Sequence, residues 1–291
     1  RHGVMRGNIM ATRGGDELLR LVMTTFVDPG ETIAMTDPTY SLYPVLARIQ
    51  DCPTLRVPLN PDWSIPADFT DRVNAANAKL TLIVNPHAPS GRLVDPDRIR
   101  EVAAGINGLL LIDEAYVDFV DPELGYDCVP LIRDFDNVLI LRSLSKGYSL
   151  AGLRFGYGIA SEGLIAPMIG KTRDSYNLDT ISQKIAEAAF GDLDWARNTW
   201  ENVRAERSRL LTALATLGLE VASSQSNFLL ATVPPNLGEA EAAYRALKDR
   251  GVLVRYFNED RLRDKLRITV GTPAENTRLL DLLAGIFSPS S

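Results

Sequence analysis

Three features of this chain are parts from which an anion-binding reactive site can be built: a lysine framed by hydroxyls, a lone carboxylate closing an apolar run, and a glycine pair opening a helix. Ser143-Leu144-Ser145-Lys146 follows Val138-Leu139-Ile140-Leu141 after one residue, Arg142. A lysine taken alone is a solvated surface charge. Two serines beside a cation make a cradle for an anion, and Arg154, after Ala151-Gly152-Leu153, can bring a planar donor fork to the same anion. Asp113 is the first charge after Leu109-Leu110-Leu111-Ile112 and leads into Glu114-Ala115-Tyr116. It reads as a strand terminator or helix cap, or as a carboxylate facing a ring nitrogen, which it would keep protonated. Thr12-Arg13-Gly14-Gly15-Asp16-Glu17 opens an amphipathic stretch whose apolar face carries Leu18, Leu19, Val22 and Phe26. A helix start offers free N–H groups and a positive dipole end to a phosphate, although Gly-Gly also marks ordinary turns. Tyr40, in Asp37-Pro38-Thr39-Tyr40, can stack on a flat ring or simply pack.

These residues need elements to carry them. The runs Thr32-Ile33-Ala34-Met35, Leu80-Thr81-Leu82-Ile83-Val84, Leu109-Leu110-Leu111-Ile112 and Val138-Leu139-Ile140-Leu141 are apolar without alternation, which suits strands of a parallel sheet covered on both faces. Amphipathic stretches lie between them; residues 95–106 place Ile99, Val102, Ala103 and Ile106 on one face. The alternation predicts an α/β domain, a mostly parallel sheet with helices on both faces. Ligand sites in such sheets lie beyond the carboxyl ends of the strands, where Asp113 and Lys146 fall. After about residue 182 the pattern changes. A long helix is predicted through Trp195, Trp200, Val203, Leu210, Leu211, Leu214 and Leu217, stopped by Gly218. Strands follow at 227–230, 252–254 and 266–270, with helices at 239–250 and 273–287 and a frayed tail at 288–291. The expected division is a large domain over 1–188 and a smaller α+β domain over 189–291.

The chain has 291 residues, of which 45% are hydrophobic, enough for a sizeable core. A formal net charge of −6 argues against a nucleic-acid partner. Cys52 and Cys128 lie far apart, which points to a reducing compartment without a disulfide framework. No apolar run reaches membrane-spanning length. His2 and His87 form no metal constellation, and Phe155-Gly156-Tyr157-Gly158 lacks the strand–turn–helix context of a dinucleotide fingerprint. The chain begins Arg1-His2-Gly3-Val4, from which a missing N-terminal segment is expected.

Taken together, Arg13-Gly14-Gly15-Asp16-Glu17, Asp113-Glu114-Ala115-Tyr116, Ser143-Leu144-Ser145-Lys146 through Ala151-Gly152-Leu153-Arg154, and Leu266-Arg267-Ile268-Thr269-Val270-Gly271-Thr272 resemble the fold-type-I pyridoxal 5'-phosphate (PLP) enzymes, and within them the histidinol-phosphate aminotransferase family. The resemblance covers residues 9–283. It implies that Lys146 carries the cofactor as a Schiff base and acts as the catalytic lysine. It implies further that Asp113 pairs with the pyridine nitrogen, Tyr116 bonds the ring hydroxyl and Tyr40 stacks on the ring. Backbone at Gly15 and Asp16, with Ser143, Ser145 and Arg154, would hold the phosphate. Arg255 and Arg267 would bind the anionic groups of a small amine and of a 2-oxo acid. A cytoplasmic homodimer acting in histidine biosynthesis is expected, with no nucleic-acid or membrane partner. Neighbouring activities are a threonine-phosphate decarboxylase-like lyase and an aromatic-amino-acid aminotransferase; a truncated, non-catalytic module with the same fold is the non-enzyme alternative.

Two departures stand out. The family carries Asn-Pro-Thr-Gly after the strand at 80–84, its Asn on the ring oxygen. Here the loop reads Asn85-Pro86-His87-Ala88-Pro89-Ser90-Gly91, with Ala88 before Pro89, leaving Asn85, His87 or Tyr116 alone for that contact. The family's N-terminal arm, which lends a Tyr to the partner's cofactor, is expected to be missing here.

Overall fold

The structure, a computed structural model, describes residues 2–287, so the tail at 288–291 lies outside the described residues. Seven strands form one sheet: β1 (Ile9–Thr12), β2 (Ile33–Asp37), β3 (Thr54–Pro58), β4 (Leu80–Val84), β5 (Leu109–Asp113), β6 (Val138–Ser143) and β7 (Gly156–Ala160), in the order β1-β7-β6-β5-β4-β2-β3. Neighbours from β3 through β6 pair in parallel. β7 runs against both β6 and β1, so the other six strands share one direction.

The unbroken apolar runs are explained by what covers them. Along β5, Leu110 and Ile112 enter one core while Leu109 and Leu111 enter the other. β6 divides likewise, Val138 and Ile140 against Leu139 and Leu141. Successive side chains point to opposite faces, so a strand buried on both sides must be apolar throughout. Helix α1 (Gly14–Phe26) supplies Leu18, Leu19 and Val22 to one face, with α2 (Leu42–Ile49) adding Tyr43 and Leu46. The opposite face takes α3 (Phe69–Ala75) and α4 (Pro96–Gly105), whose apolar stripe is Ile99, Val102 and Ala103. Asp95 caps α4 by accepting from the Asp97 N–H, and Pro96 occupies its first turn. Helices α5 (Leu131–Asp134), α6 (Glu162–Pro167) and α7 (Thr180–Gly191) add Leu131, Ile165 and Ala186 to these cores.

Beyond them α8 (Leu193–Thr216) runs 24 residues and ends where Gly218 takes a left-handed φ of 88°. A second, antiparallel sheet has the order β10-β11-β9-β8, from β8 (Glu220–Val221), β9 (Phe228–Thr232), β10 (Arg255–Tyr256) and β11 (Lys265–Thr269). It packs Leu229, Ala231, Leu266 and Ile268 against α8, α9 (Ala240–Asp249) and α10 (Pro273–Phe287).

Where the sequence-based assignment differs, packing decides. Residues 252–254 are not a strand; the pairing begins at Arg255, opposite Arg267. β7 was read only as a glycine-rich segment. It is a strand because its missing side chains let α1 approach. A Cβ on Gly156 would lie 2.5 Å from the carbonyl carbon of Gly14, a backbone atom that cannot step aside. On Gly158 the nearest atom is a Leu18 methyl at 3.1 Å, which can rotate. Gly156→Ala is therefore expected to lower unfolding free energy in urea by ~1–3 kcal/mol, with Gly158→Ala costing clearly less. Equal costs at both positions would remove this account of β7.

Candidate functional site

Six strands sharing one direction bring their carboxyl ends to one edge of the sheet. At that edge stand the start of α1 after β1, Tyr40 after β2, Ala88 after β4, Asp113 at the end of β5, and Ser143, Ser145 and Lys146 at and after β6. One cavity is lined by Gly15, Asp16, Tyr40, Asp113, Tyr116, Ser143, Ser145, Lys146 and Arg154 together. Every residue expected to touch a bound ring or its phosphate therefore lines the same cavity. Lys146 is exposed, as is Arg154.

Asp113 is buried at the floor. The Tyr43 hydroxyl donates to its Oδ2 at 2.9 Å, and the Ala115 N–H donates to its Oδ1 at 3.0 Å. Burial pushes this carboxyl up to about 6, against the pull of those two donors. Burial, and then the Asp16 carboxylate, push the Tyr40 phenol up to about 12. Burial raises the Tyr116 phenol too, and the Arg267 guanidinium opposes it. Tyr43 was not singled out from the sequence; its one signal is a place three residues after Tyr40, in the first turn of α2.

The opposite wall is the start of α1. Gly14 has φ of 76°, and a Cβ there would lie 2.7 Å from Arg154 Nη2. The glycine thus lets the guanidinium close on the helix start, where N–H groups lack intrahelical partners. Arg154 Nη2 donates to Asp16 Oδ2 at 3.0 Å, and the Tyr40 hydroxyl reaches Asp16 Oδ1 at 3.5 Å. The Ser143 hydroxyl accepts from the Ser145 N–H at 3.1 Å, shaping the turn that presents Lys146.

Arg255 and Arg267 do not line this cavity. They line the adjoining one, which shares Tyr40 and Ala88 with it and adds Arg56, Phe257 and Glu259. Arg267 Cζ lies 4.9 Å from the Phe228 ring centre and 5.6 Å from that of Phe257; Arg255 Cζ lies 5.1 Å from Phe257. Aromatic faces hold both guanidinium planes without using their donors, and Arg267 Nε is buried with no partner. Phe228 also meets Tyr116 edge to face at 5.1 Å.

The loop 85–91 resolves one alternative left by the sequence. Asn85 gives its amide to the Val94 carbonyl and the Tyr126 hydroxyl and accepts from the Val94 N–H. His87 is buried between the Ser90 hydroxyl (2.7 Å) and the Pro38 carbonyl (3.0 Å), and burial lowers its pKa to about 4. Both side chains are taken up by protein partners, most of them outside the loop, and Ala88 is the loop residue that lines the cavity. Beneath the site Glu114 is fully enclosed. It accepts from Arg142 Nε at 2.7 Å and from the Tyr126 hydroxyl at 2.9 Å. No group of three metal-ligating side chains occurs among the described residues, and no described helix is long and apolar enough to cross a membrane.

The family model described as aminotransferase class I and II matches residues 3–283. The chain is similar to the histidinol-phosphate aminotransferase of Microcystis aeruginosa, 40% identical over 286 residues, 98% of this chain and 79% of that protein. It is likewise 40% identical to the enzyme of the same name from Synechocystis sp., over 98% of this chain and 78% of the other. A crystal structure of histidinol-phosphate aminotransferase from Sinorhizobium meliloti in complex with pyridoxal-5'-phosphate superimposes with a TM-score of 0.89 at 25% identity, covering 99% of this chain and 78% of that one.

The Asp113 carboxyl has a measurable signature in the ligand-free chain. Folding raises its pKa from 3.8 to about 6, so the folded state binds more protons and stability falls as pH rises across that window. The shift corresponds to ~3 kcal/mol lost by pH 8. Asp113→Asn keeps the size and removes the charge. Its unfolding free energy should exceed the parent's by ~1–3 kcal/mol at pH 8 and match it near pH 4. Urea unfolding at the two pH values checks this, and a difference independent of pH would rule burial out as its cause.

Proposed function

This chain belongs to the class I and II aminotransferases, and on that premise we propose that it uses PLP to move an amino group between histidinol phosphate and 2-oxoglutarate. The observation that carries this reading is the shared cavity of Asp113, Lys146, Arg154 and the α1 start, opening beside a second cavity lined by Arg255 and Arg267. The donor set suits a pyridine ring bearing a phosphate. A buried carboxylate faces one end; at the other, Gly14 has no Cβ and lets a guanidinium meet a helix start. The cofactor, when bound, supplies an electron sink for the carbon that loses its proton.

The chain's own residues do the rest. Lys146 holds the cofactor covalently, and its freed Nζ takes the proton from the amine-bearing carbon of the substrate. Asp113 keeps the ring nitrogen protonated, held in place by Tyr43 and the Ala115 N–H. Tyr116 serves the ring hydroxyl, with Ala88 offering nothing there. Tyr40 flanks the ring. The backbone at Gly15 and Asp16, with Ser143, Ser145 and Arg154, takes the cofactor phosphate, Arg154 loosening from the Asp16 carboxylate to do so. That pair is half exposed on both sides, so releasing it costs little. Arg267 and Arg255 hold the substrate phosphate and, in the second half of the cycle, the carboxylates of the keto acid.

The division into domains over 1–188 and 189–291 belongs to the same reading, as does a cytoplasmic homodimer. Tyr176, Ile181 and Ile185 are exposed apolar side chains, and Arg13 at the α1 start donates to the Tyr176 and Asn177 carbonyls beside them.

Lys146→Ala should abolish the visible absorbance band that the unaltered chain develops with PLP, and persistence of that band would refute Lys146 as the attachment site. Arg267→Ala should raise KM for histidinol phosphate by roughly 10–100-fold, the equivalent of one lost charged hydrogen bond or two. Release of carbon dioxide from O-phosphothreonine, with no transfer from histidinol phosphate, would instead identify a lyase.

A further inference from the structure

The face that α8 turns inward carries Ala196, Trp200, Val203, Arg207, Leu210 and Leu214, spaced alternately by four and three residues. That is the spacing of a buried apolar stripe. Arg207 is the one charge in it, and it is only 4% exposed. A guanidinium does not give up its proton in a protein, so its burial demands acceptors for a rigid fork of donors. Nη1 donates to the Phe119 carbonyl at 2.9 Å and to the Ser226 carbonyl at 3.0 Å. Nη2 donates to Asp121 Oδ1 at 2.8 Å and to Gln225 Oε1 at 3.4 Å. Gln225 closes the cluster, accepting from the Asp121 N–H and donating to Asp121 Oδ2, each at 2.8 Å.

One side chain therefore joins two segments more than a hundred residues apart in sequence, and both lead into the site. Phe119 lies three residues after Tyr116; Ser226 lies two before Phe228. The two rings meet at 5.1 Å, and Arg267 rests on Phe228. Arg207 itself lines neither cavity. Two turns earlier on the same helix face, Trp200 Nε1 donates to the Gly147 carbonyl at 2.5 Å, next to Lys146.

We propose that Arg207 is a positioning residue: its fork fixes Tyr116, on the cofactor side, against Phe228 and Arg267, on the side that binds the substrate anion. The functional half of this inference rests on the PLP reading above; the structural half does not. A lysine keeps the charge but presents a single nitrogen, which cannot span the acceptors Arg207 holds.

Arg207→Lys tests it twice. In the ligand-free chain, amide hydrogen exchange should quicken about tenfold in both 117–121 and 226–228 while 80–84 and 109–113 keep their rates. In the PLP-loaded enzyme, KM for histidinol phosphate should rise about tenfold with kcat changed less than about threefold, and the effect should be non-additive with Arg267→Lys. Gln225→Ala, which loosens the same cluster without stranding the guanidinium, should move both readouts the same way by less. Faster exchange in one segment only, or spread evenly over the chain, overturns the proposal; so does an unchanged KM in an active enzyme. Should the unaltered chain show neither the absorbance band nor transfer, the PLP reading falls by itself, and the exchange pattern still decides whether Arg207 couples the two segments.

Discussion

The site depends on one constraint: strands that run the same way must end at the same edge. Each of β2, β4, β5 and β6 is a buried apolar run, and at its carboxyl end the chain leaves the sheet and the side chains become polar. Asp113 and Ser143 are the last residues of their strands, and Tyr40 and Lys146 follow theirs within three residues. β1, parallel to them across the reversed β7, delivers the start of α1 to the same edge. Nothing in the local sequence of one segment knows of the others. The sheet order makes them neighbours, with β4, β5 and β6 side by side at its centre.

A polar cluster at the edge of two apolar cores carries an electrostatic cost, and the chain meets it differently at different depths. At the floor the Asp113 carboxylate loses water and receives two donors in return, which leaves it still less acidic than in solution. Deeper, Glu114 is enclosed with Arg142 and the Tyr126 hydroxyl, a pair whose separation would strand a buried charge. Nearer solvent the Asp16–Arg154 pair is half exposed and holds loosely. The gradient is suited to binding. The buried carboxylate is gripped by two donors, and the exposed guanidinium is held by one half-exposed carboxylate.

The second sheet adds Arg255 and Arg267 of the adjoining cavity. Its guanidinium groups are held by aromatic faces rather than by carboxylates, which leaves hydrogen-bonding capacity for a ligand. Phe228 is the hinge of this arrangement, touching Tyr116 on one side and Arg267 on the other. α8 underlies both parts, its early residues Ala196 and Trp200 packing with the first core and Leu210 and Leu214 with the last.

Much of this was legible in the residues themselves. The runs at 80–84, 109–112 and 138–141 announce buried strands because a strand covered on both faces has no polar position to show. The stretches at 95–106 and 273–287 announce helices because their apolar residues recur every three or four positions. Lys146, Asp113 and the Gly14-Gly15 start were visible as types in suggestive places, and their joint resemblance to a known family pointed to the chemistry. β7 was hidden because its character lies in absent side chains: only the approach of α1 to Gly156 gives them meaning. Tyr43 and Phe228 read as ordinary core residues, since their roles are contacts with partners seventy and more residues away. Arg207 was written in the sequence as a charge within an apolar stripe, yet only the fold supplies the two carbonyls that explain it. The residues alone were enough for the buried strands, for the long amphipathic helices and for which side chains can react, because periodicity and residue chemistry are local; they were not enough for β7 or for the stretch at 252–254. Packing decided which of those side chains meet, which are taken up by distant protein partners as Asn85 and His87 are, and which remain open to a ligand, because proximity, desolvation and hydrogen-bond satisfaction exist only once distant segments are packed together.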